Sequence, residues 1–171
     1  MRWLTVVAVA AVLSGCGALD LFRDEKTTTT VPAVPRERSV DPQRAAELIN
    51  AHRQARGRPP LRVDPRLNAI AARTARELAR RNQVKTEMHT TRGLARRLEA
   101  ANYRAARASE NLGGGYPTLV TAVEGWKGSR EHNRNLLNRE MTHMGIGLAV
   151  TDRGKLKSFW VLLLARPDQQ V

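Results

Sequence analysis

The sequence predicts an α+β domain, with helices layered on a small antiparallel sheet, behind an N-terminal export segment. Two observations carry the class. Helical periodicity opens twice on the same dipeptide, in "DPQRAAELINAHRQARG" and "DPRLNAIAARTARELARR". Nearer the C-terminus, "MTHMGIGLAV" alternates Met144, Ile146, Leu148 and Val150 with smaller residues, and "KSFWVLLLARP" is one aliphatic and aromatic run. Both of these read as strands. Helices that precede and flank such strands must bury their apolar stripes against them, which places helices on a sheet.

The first element is not part of that domain. "MRWLTVVAVAAVLSGCGALD" has an early arginine and an apolar run over 3–13, too short to span a bilayer comfortably, and then Leu13, Ser14, Gly15 and Cys16. That ending resembles the lipobox of bacterial lipoproteins, which implies a signal peptide over 1–15 and lipidation of Cys16. Cys16 is also the only cysteine among 171 residues, so the domain holds no disulfide and relies on its core. Over 17–40 the chain carries four consecutive threonines, two prolines and mixed charge, a composition that cannot offset its ordering entropy by burial. Residues 16–40 are therefore expected to be a flexible tether reaching about 25–30 Å. The domain is expected over 41–167, the size of one ordinary domain.

Within it, Asp41 and Asp64 occupy N-cap positions, and Pro42 and Pro65 follow at the first helical position, where a missing N–H costs nothing. Ala45, Leu48, Ile49 and His52 make the first stripe, ended by Gly57. Leu67, Ile70, Ala71, Thr74 and Leu78 make the second, and Arg66, Arg73, Arg76 and Arg80 fall on a solvated face partly paired with Glu77. A third helix fits "TRGLARRLEAAN". A fourth runs over 118–129 with Val120, Val123 and Trp126 inward. A strand over 104–112 precedes the break "GGGYP", which lacks the lysine and helix register of a P-loop and reads as a flexible turn. The turn "TDRGK" joins the last two strands into a hairpin.

The formal charge is +13, from 29 Lys and Arg against 16 Asp and Glu. Such a field favours anionic partners, phospholipid headgroups or acidic envelope polymers among them. The basic residues are spread along the chain, without a nucleic-acid motif and with few aromatics to stack bases, so nucleic acid is excluded as the partner.

"GWKGSREHNRNLL" sets Ser129 three residues before His132. On one helix face these could be a nucleophile and its base. A hydrolase would also need a carboxylate to orient the histidine and an oxyanion hole near the serine, and nothing in the sequence suggests the hole. Ser129 therefore reads as a hydrogen-bonding residue on a cavity wall.

The ordered set "LINAHRQARGRPPLRVDPRLNAIAARTARELA", His89, "SENLGGG", "WKGSREHNRNLLN", "MGIGLAV" and an aromatic strand resembles the CAP superfamily, in particular the bacterial SCP-like domains. The resemblance covers about 41–166. It implies an α-β-α sandwich with an open cavity lined by His89, Glu110, Ser129 and His132. Ser129 stands where many relatives carry glutamate and Glu131 where bacterial ones usually carry glycine. His89 and His132 would be metal ligands, zinc being the possible ion, with Glu110 as a third; three ligands with an open position would suit a catalytic zinc. His52 and His143 are expected outside the cavity.

Three functions follow from these residues. The first is a non-enzymatic binding module for a lipid or other envelope component, as the resemblance implies. The second is a metal-dependent hydrolase using His89, His132 and Glu110. The third is a charge-driven envelope interaction protein. All three would sit on the extracytoplasmic face of a cell membrane, anchored through Cys16.

Overall fold

The computed structural model describes residues 35–84 and 89–168. The expected signal peptide, Cys16 and most of the expected tether lie outside them. The described chain runs α1 (Pro42–Gln54), β1 (Arg62–Val63), α2 (Pro65–Arg81), α3 (Thr91–Glu99), β2 (Ala105–Gly114), α4 (Leu119–Gly128), α5 (Arg130–Leu136), β3 (His143–Val150) and β4 (Ser158–Pro167).

The helix starts follow local chemistry. Asp41 accepts from the Gln43 amide, Asp64 from the amides of Arg66 and Leu67, and Thr90 from that of Gly93. Thr118 and Thr121 close a reciprocal capping box on α4. Glu37 and Val40, in the segment expected to be tether, already contact the domain. The Glu37 amide donates to the Pro117 carbonyl at 2.9 Å, its carboxylate accepts from the Leu119 amide, and Val40 packs against the core.

The four strands order as β1-β3-β4-β2. The β3–β4 and β4–β2 pairs are antiparallel, as expected, with Ile146 opposite Leu162 and Glu110 opposite Leu163. The sheet is nevertheless mixed: β1, absent from the sequence reading, joins β3 in parallel through Arg62 and Val63. β4 lies between two strands and is buried from Ser158 to Ala165.

Alternate residues of the central strands feed two cores. Met144, Ile146, Trp160, Leu162 and Leu164 pack with α1 and α4. Ala149, Phe159, Val161, Leu163 and Ala165 pack with α2 and α3. The result is the helix–sheet–helix sandwich. On the second face α2 lies almost directly on β3. A Cβ built at Gly145 would overlap the backbone of Leu67 and Asn68, and one at Gly147 that of Ala71 and Ala72. Beyond the end of β1 the Ile146 amide has no strand partner and donates to Asn68 Oδ1 at 2.9 Å.

Three helix and loop expectations need correction. Val120 is 50% exposed, because Leu119, Ala122, Val123 and Trp126 already fill the inward face of α4. α4 ends at Gly128, and Ser129 is an extended junction residue (φ −91°, ψ 123°) before a separate α5. The "GGGYP" run is no loose turn: β2 continues through Gly114, and the Tyr116 ring lies where side chains at Gly113 and Gly125 would stand. The Tyr116 carbonyl accepts from Ser158 Oγ and Trp160 Nε1, which pins the loop to β4.

Candidate functional site

The site is built around a buried carboxylate on the edge strand. Glu110 lies on β2 with its side chain only 4% exposed. An ionised group so placed needs strong partners. Arg97, in the last turn of α3, supplies a two-pronged contact: Nη1 donates to Oε1 at 2.6 Å and Nη2 to Oε2 at 3.1 Å. Arg97 is itself braced, through Nε to the Gly93 carbonyl and Nη1 to Thr74 Oγ1. His89 completes the cluster, with Nδ1 3.1 Å from Glu110 Oε2.

α5 approaches the same strand from its free edge. Asn135 Nδ2 donates to the Glu110 carbonyl at 3.2 Å and to Asn111 Oδ1 at 2.9 Å, and Asn111 Nδ2 donates to the His132 carbonyl at 3.1 Å. Trp126 Nε1 of α4 donates to the Leu112 carbonyl at 3.0 Å. Side chains thus use the carbonyls that an edge strand would otherwise offer to another strand. These contacts hold the His132 backbone against Asn111, the residue after Glu110 on β2. The His132 imidazole is held below the ordinary histidine pKa, first by burial and then by the charge of His89, with Glu131 opposing. The neutral form of His132 is therefore favoured.

Ser129 is half-buried and makes no side-chain cap to α5. It is the N-cap residue of α5, three positions before His132, and among the described residues no hydrogen bond joins the two side chains. His52 is a half-buried rim residue, with Nε2 2.8 Å from Asn133 Oδ1. His143 sits at the start of β3 against Thr142 Oγ1. Neither touches Glu110.

As a metal centre the donor set is restricted. Both Glu110 oxygens already accept from Arg97, so metal coordination by this carboxylate would compete with two charge-assisted hydrogen bonds. Among the described residues, no group of three His, Cys, Asp or Glu is placed to hold a metal ion. A cation here would rely on the two histidines.

Arg97 and Asn135 were absent from the sequence reading. A signal for Arg97 existed: Leu94, Arg97 and Leu98 recur at i, i+3 and i+4, and Leu94 and Leu98 are the buried residues of α3, so the arginine between them points inward. Asn135 carried none, because its partners come from another element. The same holds for Arg53, fully buried and without a carboxylate partner among the described residues. It donates from Nε to the Pro59 carbonyl at 2.7 Å and from Nη1 to those of Leu136 and Asn138 at 2.5 and 3.0 Å. Burial, and then the nearby charge of Arg58, lowers its pKa.

The fold class, an α-β-α sandwich with a mixed four-stranded sheet, is now defined. The chain belongs to the CAP, or cysteine-rich secretory protein, family, whose sequence model matches residues 46–164. This member has no cysteine in the matched region. It is similar to the YkwD protein of Bacillus subtilis, at 31% identity over 123 residues, covering 72% of this chain and 48% of that protein. A second relative, the membrane protein YlbC of the same organism, is 40% identical over 52 residues, 30% of this chain and 15% of that protein. The chain thus spans about half or less of the curated relatives it matches. Among solved structures, an extracellular SCP-domain protein of Bacillus anthracis superposes with a TM-score of 0.59 at 26% identity, covering 72% of this chain and 39% of that one. An outer surface protein of Borrelia burgdorferi superposes with a TM-score of 0.63 at 20% identity, covering 76% and 98%.

Proposed function

We propose that this chain is an extracytoplasmic CAP-domain lipoprotein that binds a lipid or another envelope component through a cavity lined by His89, Glu110, Ser129 and His132, without turning it over. The observation that carries this reading is the engagement of Glu110. A carboxylate whose two oxygens accept from Arg97 and lie against His89 is an anchor for the site's walls, poorly placed to act as a free general base. His132, favoured as the neutral form, offers a hydrogen-bonding ring that carries no fixed charge into an apolar ligand's path. The anchoring part rests on Leu13-Ser14-Gly15-Cys16, and the printed description of the Bacillus anthracis relative as extracellular supports export. No helix among the described residues is long and apolar enough to cross a membrane.

Histidine NMR on the purified protein tests the site. In His89→Gln, the His132 titration should move up toward its ordinary value and remain below it, since one of two depressing causes is removed and burial stays. An unmoved His132 would mean that the two rings do not share a site. Mass spectrometry of protein extracted from its own membrane should find a bound lipid or envelope fragment that is absent from Glu110→Gln. For the anchor, alkyne fatty-acid labelling should be lost in Cys16→Ala, and retained label would refute lipidation there.

A metal-dependent hydrolase is the second reading, favoured by one observation: His132 is held in the neutral state that a metal ligand needs, next to another histidine. Added zinc would then perturb His89 and His132 together at near-stoichiometric metal. The binding reading expects only weak broadening. In the charge-driven alternative, salt-sensitive binding to anionic vesicles would survive substitution of all four cavity residues.

A further inference from the structure

Three of the exposed arginines of α2, Arg73, Arg76 and Arg80, border a concavity rather than a flat surface. They form one wall of a groove of about 900 Å3 between the C-terminal half of α2 and the end of β3, closed on its far side by the turn that joins β3 to β4. Arg73, Arg76 and Arg80 recur at i, i+3 and i+7, which places them on one helix face. Arg153 enters from the turn, and Ala79, Ala149 and Val150 give the groove an apolar lining.

The charges are unequally satisfied. Glu77, the only acid lining the groove among the described residues, pairs with Arg80 and also with Arg81. Arg97, at the inner end, is committed to Glu110. Arg73, Arg76 and Arg153 form no ion pair among the described residues. Like charges gathered in one concavity with low-dielectric walls repel one another and focus a positive potential into it. The turn is also held in place. Gly154 takes φ +69° so that the chain passes over Asn82, the left-handed C-cap of α2, and a Cβ at Gly154 would collide with the Asn82 side chain. Arg153 is therefore carried on a segment packed against the helix that bears the other two arginines.

Guanidinium groups bind tetrahedral oxyanions through paired N–H donors, and the three terminal oxygens of a phosphate ester can bridge two or three of them, where a carboxylate has only two. We propose that this groove is a second binding site, taking the phosphate of a phosphate ester between Arg73, Arg76 and Arg153, with the apolar lining receiving the adjoining carbon chain. This site is independent of how the His89 and Glu110 cluster is used. A phospholipid headgroup and a small soluble phosphate ester offer the same chemistry.

Isothermal titration calorimetry of the full chain in non-ionic detergent, with glycerol 3-phosphate and with short-chain phosphatidylglycerol as probes, separates these sources. At least one probe should bind. Its affinity should fall about ten-fold or more in the triple variant Arg73→Ala/Arg76→Ala/Arg153→Ala. It should change less than about two-fold in Arg56→Ala/Arg134→Ala/Arg166→Ala, which removes the same charge from exposed positions elsewhere. Equal affinity for both probes assigns the site to soluble esters, and binding of the lipid alone assigns it to headgroups. Failure of both probes to bind, or an equal loss in the two triple variants, overturns the proposal. If the groove variant does not fold by circular dichroism, Arg153→Ala alone must show a loss.

Discussion

The two faces of the sheet are packed by opposite means. Toward α1 and α4, large side chains interlock: Trp126, Trp160, Met144, Ile146 and Leu162 are all buried there. Toward α2, β3 presents Gly145, Gly147 and Ala149, and the helix backbone itself fills the space. Along β3 one face is held by volume and the other by closeness, while β4 still presents Phe159, Val161 and Leu163 to α2 and α3, so β3 has a different fatal error on each face. The first cannot lose atoms and the second cannot gain them.

The largest effect should come from breaking the close face. Gly147→Leu inserts a side chain where even a Cβ overlaps the backbone of Ala71 and Ala72, and no flexible group is there to yield. Overpacking of this kind costs about 3 kcal/mol or more, and expression as insoluble protein or loss of the cooperative urea transition is expected. Next comes emptying the interlocked face. Trp126→Ala leaves a cavity and frees the Leu112 carbonyl, at about 3–5 kcal/mol in a denaturant titration. If Trp126→Ala were milder than the neighbouring surface change Val120→Ala, the facing of α4 would be wrong.

The edge of the sheet, where the two faces meet, gives the third prediction. Arg97→Met leaves the Glu110 carboxylate buried beside His89 alone, and should cost about 3 kcal/mol. Glu110→Gln keeps a neutral acceptor for Arg97, which stays partly exposed, and should cost less. The reverse order would mean that Glu110 is not the group being neutralised.

A smaller effect is set by pH. Because the His132 pKa is lowered on folding, the unfolded chain binds the proton more readily. The native state therefore loses stability as pH falls below the ordinary 6.5 and through the lowered value, and keeps it at neutral pH and above. In His132→Gln the stability lost between pH 7.5 and 5 should be smaller than in the wild type, with urea midpoints as the readout. The smallest effect belongs to neither face: Arg73→Ala, at an exposed position with no ion pair among the described residues, should change stability by under about 0.5 kcal/mol.

The same contrast explains what was legible in the sequence. α1 and α2 announce themselves because cap, proline and stripe are all local. β3 and β4 do so because alternation and an unbroken apolar run are also local. The glycines of "MGIGLAV" showed alternation, but what they make room for, the backbone of a helix some 75 residues earlier, has no local trace. β1 has two residues and is a strand only because Arg62 and Val63 meet His143 and Met144. α5 is short and polar, held by Asn135 and Asn111 more than by an apolar stripe of its own, so no local pattern marks it as a helix. At the candidate site, residue chemistry alone would have left His89 in a polar loop. The family resemblance related it to Glu110, and the inward register of α3 would have added Arg97.

Arg53 has a consequence for how this domain breathes. From the last turn of α1 its guanidinium holds carbonyls in the loop before β1 and along the stretch from Leu136 to Met141. That stretch carries the chain from α5 into β3, and an irregular connector of this kind would ordinarily open by itself. Here its opening would break the hydrogen bonds of a fully buried cation, so its amides are expected to exchange in step with those of α1, which hydrogen-exchange mass spectrometry reads directly. Asn135, just upstream of this stretch, bonds Glu110, and the wall of the candidate site is therefore tied to the same cooperative unit as the first helix of the domain.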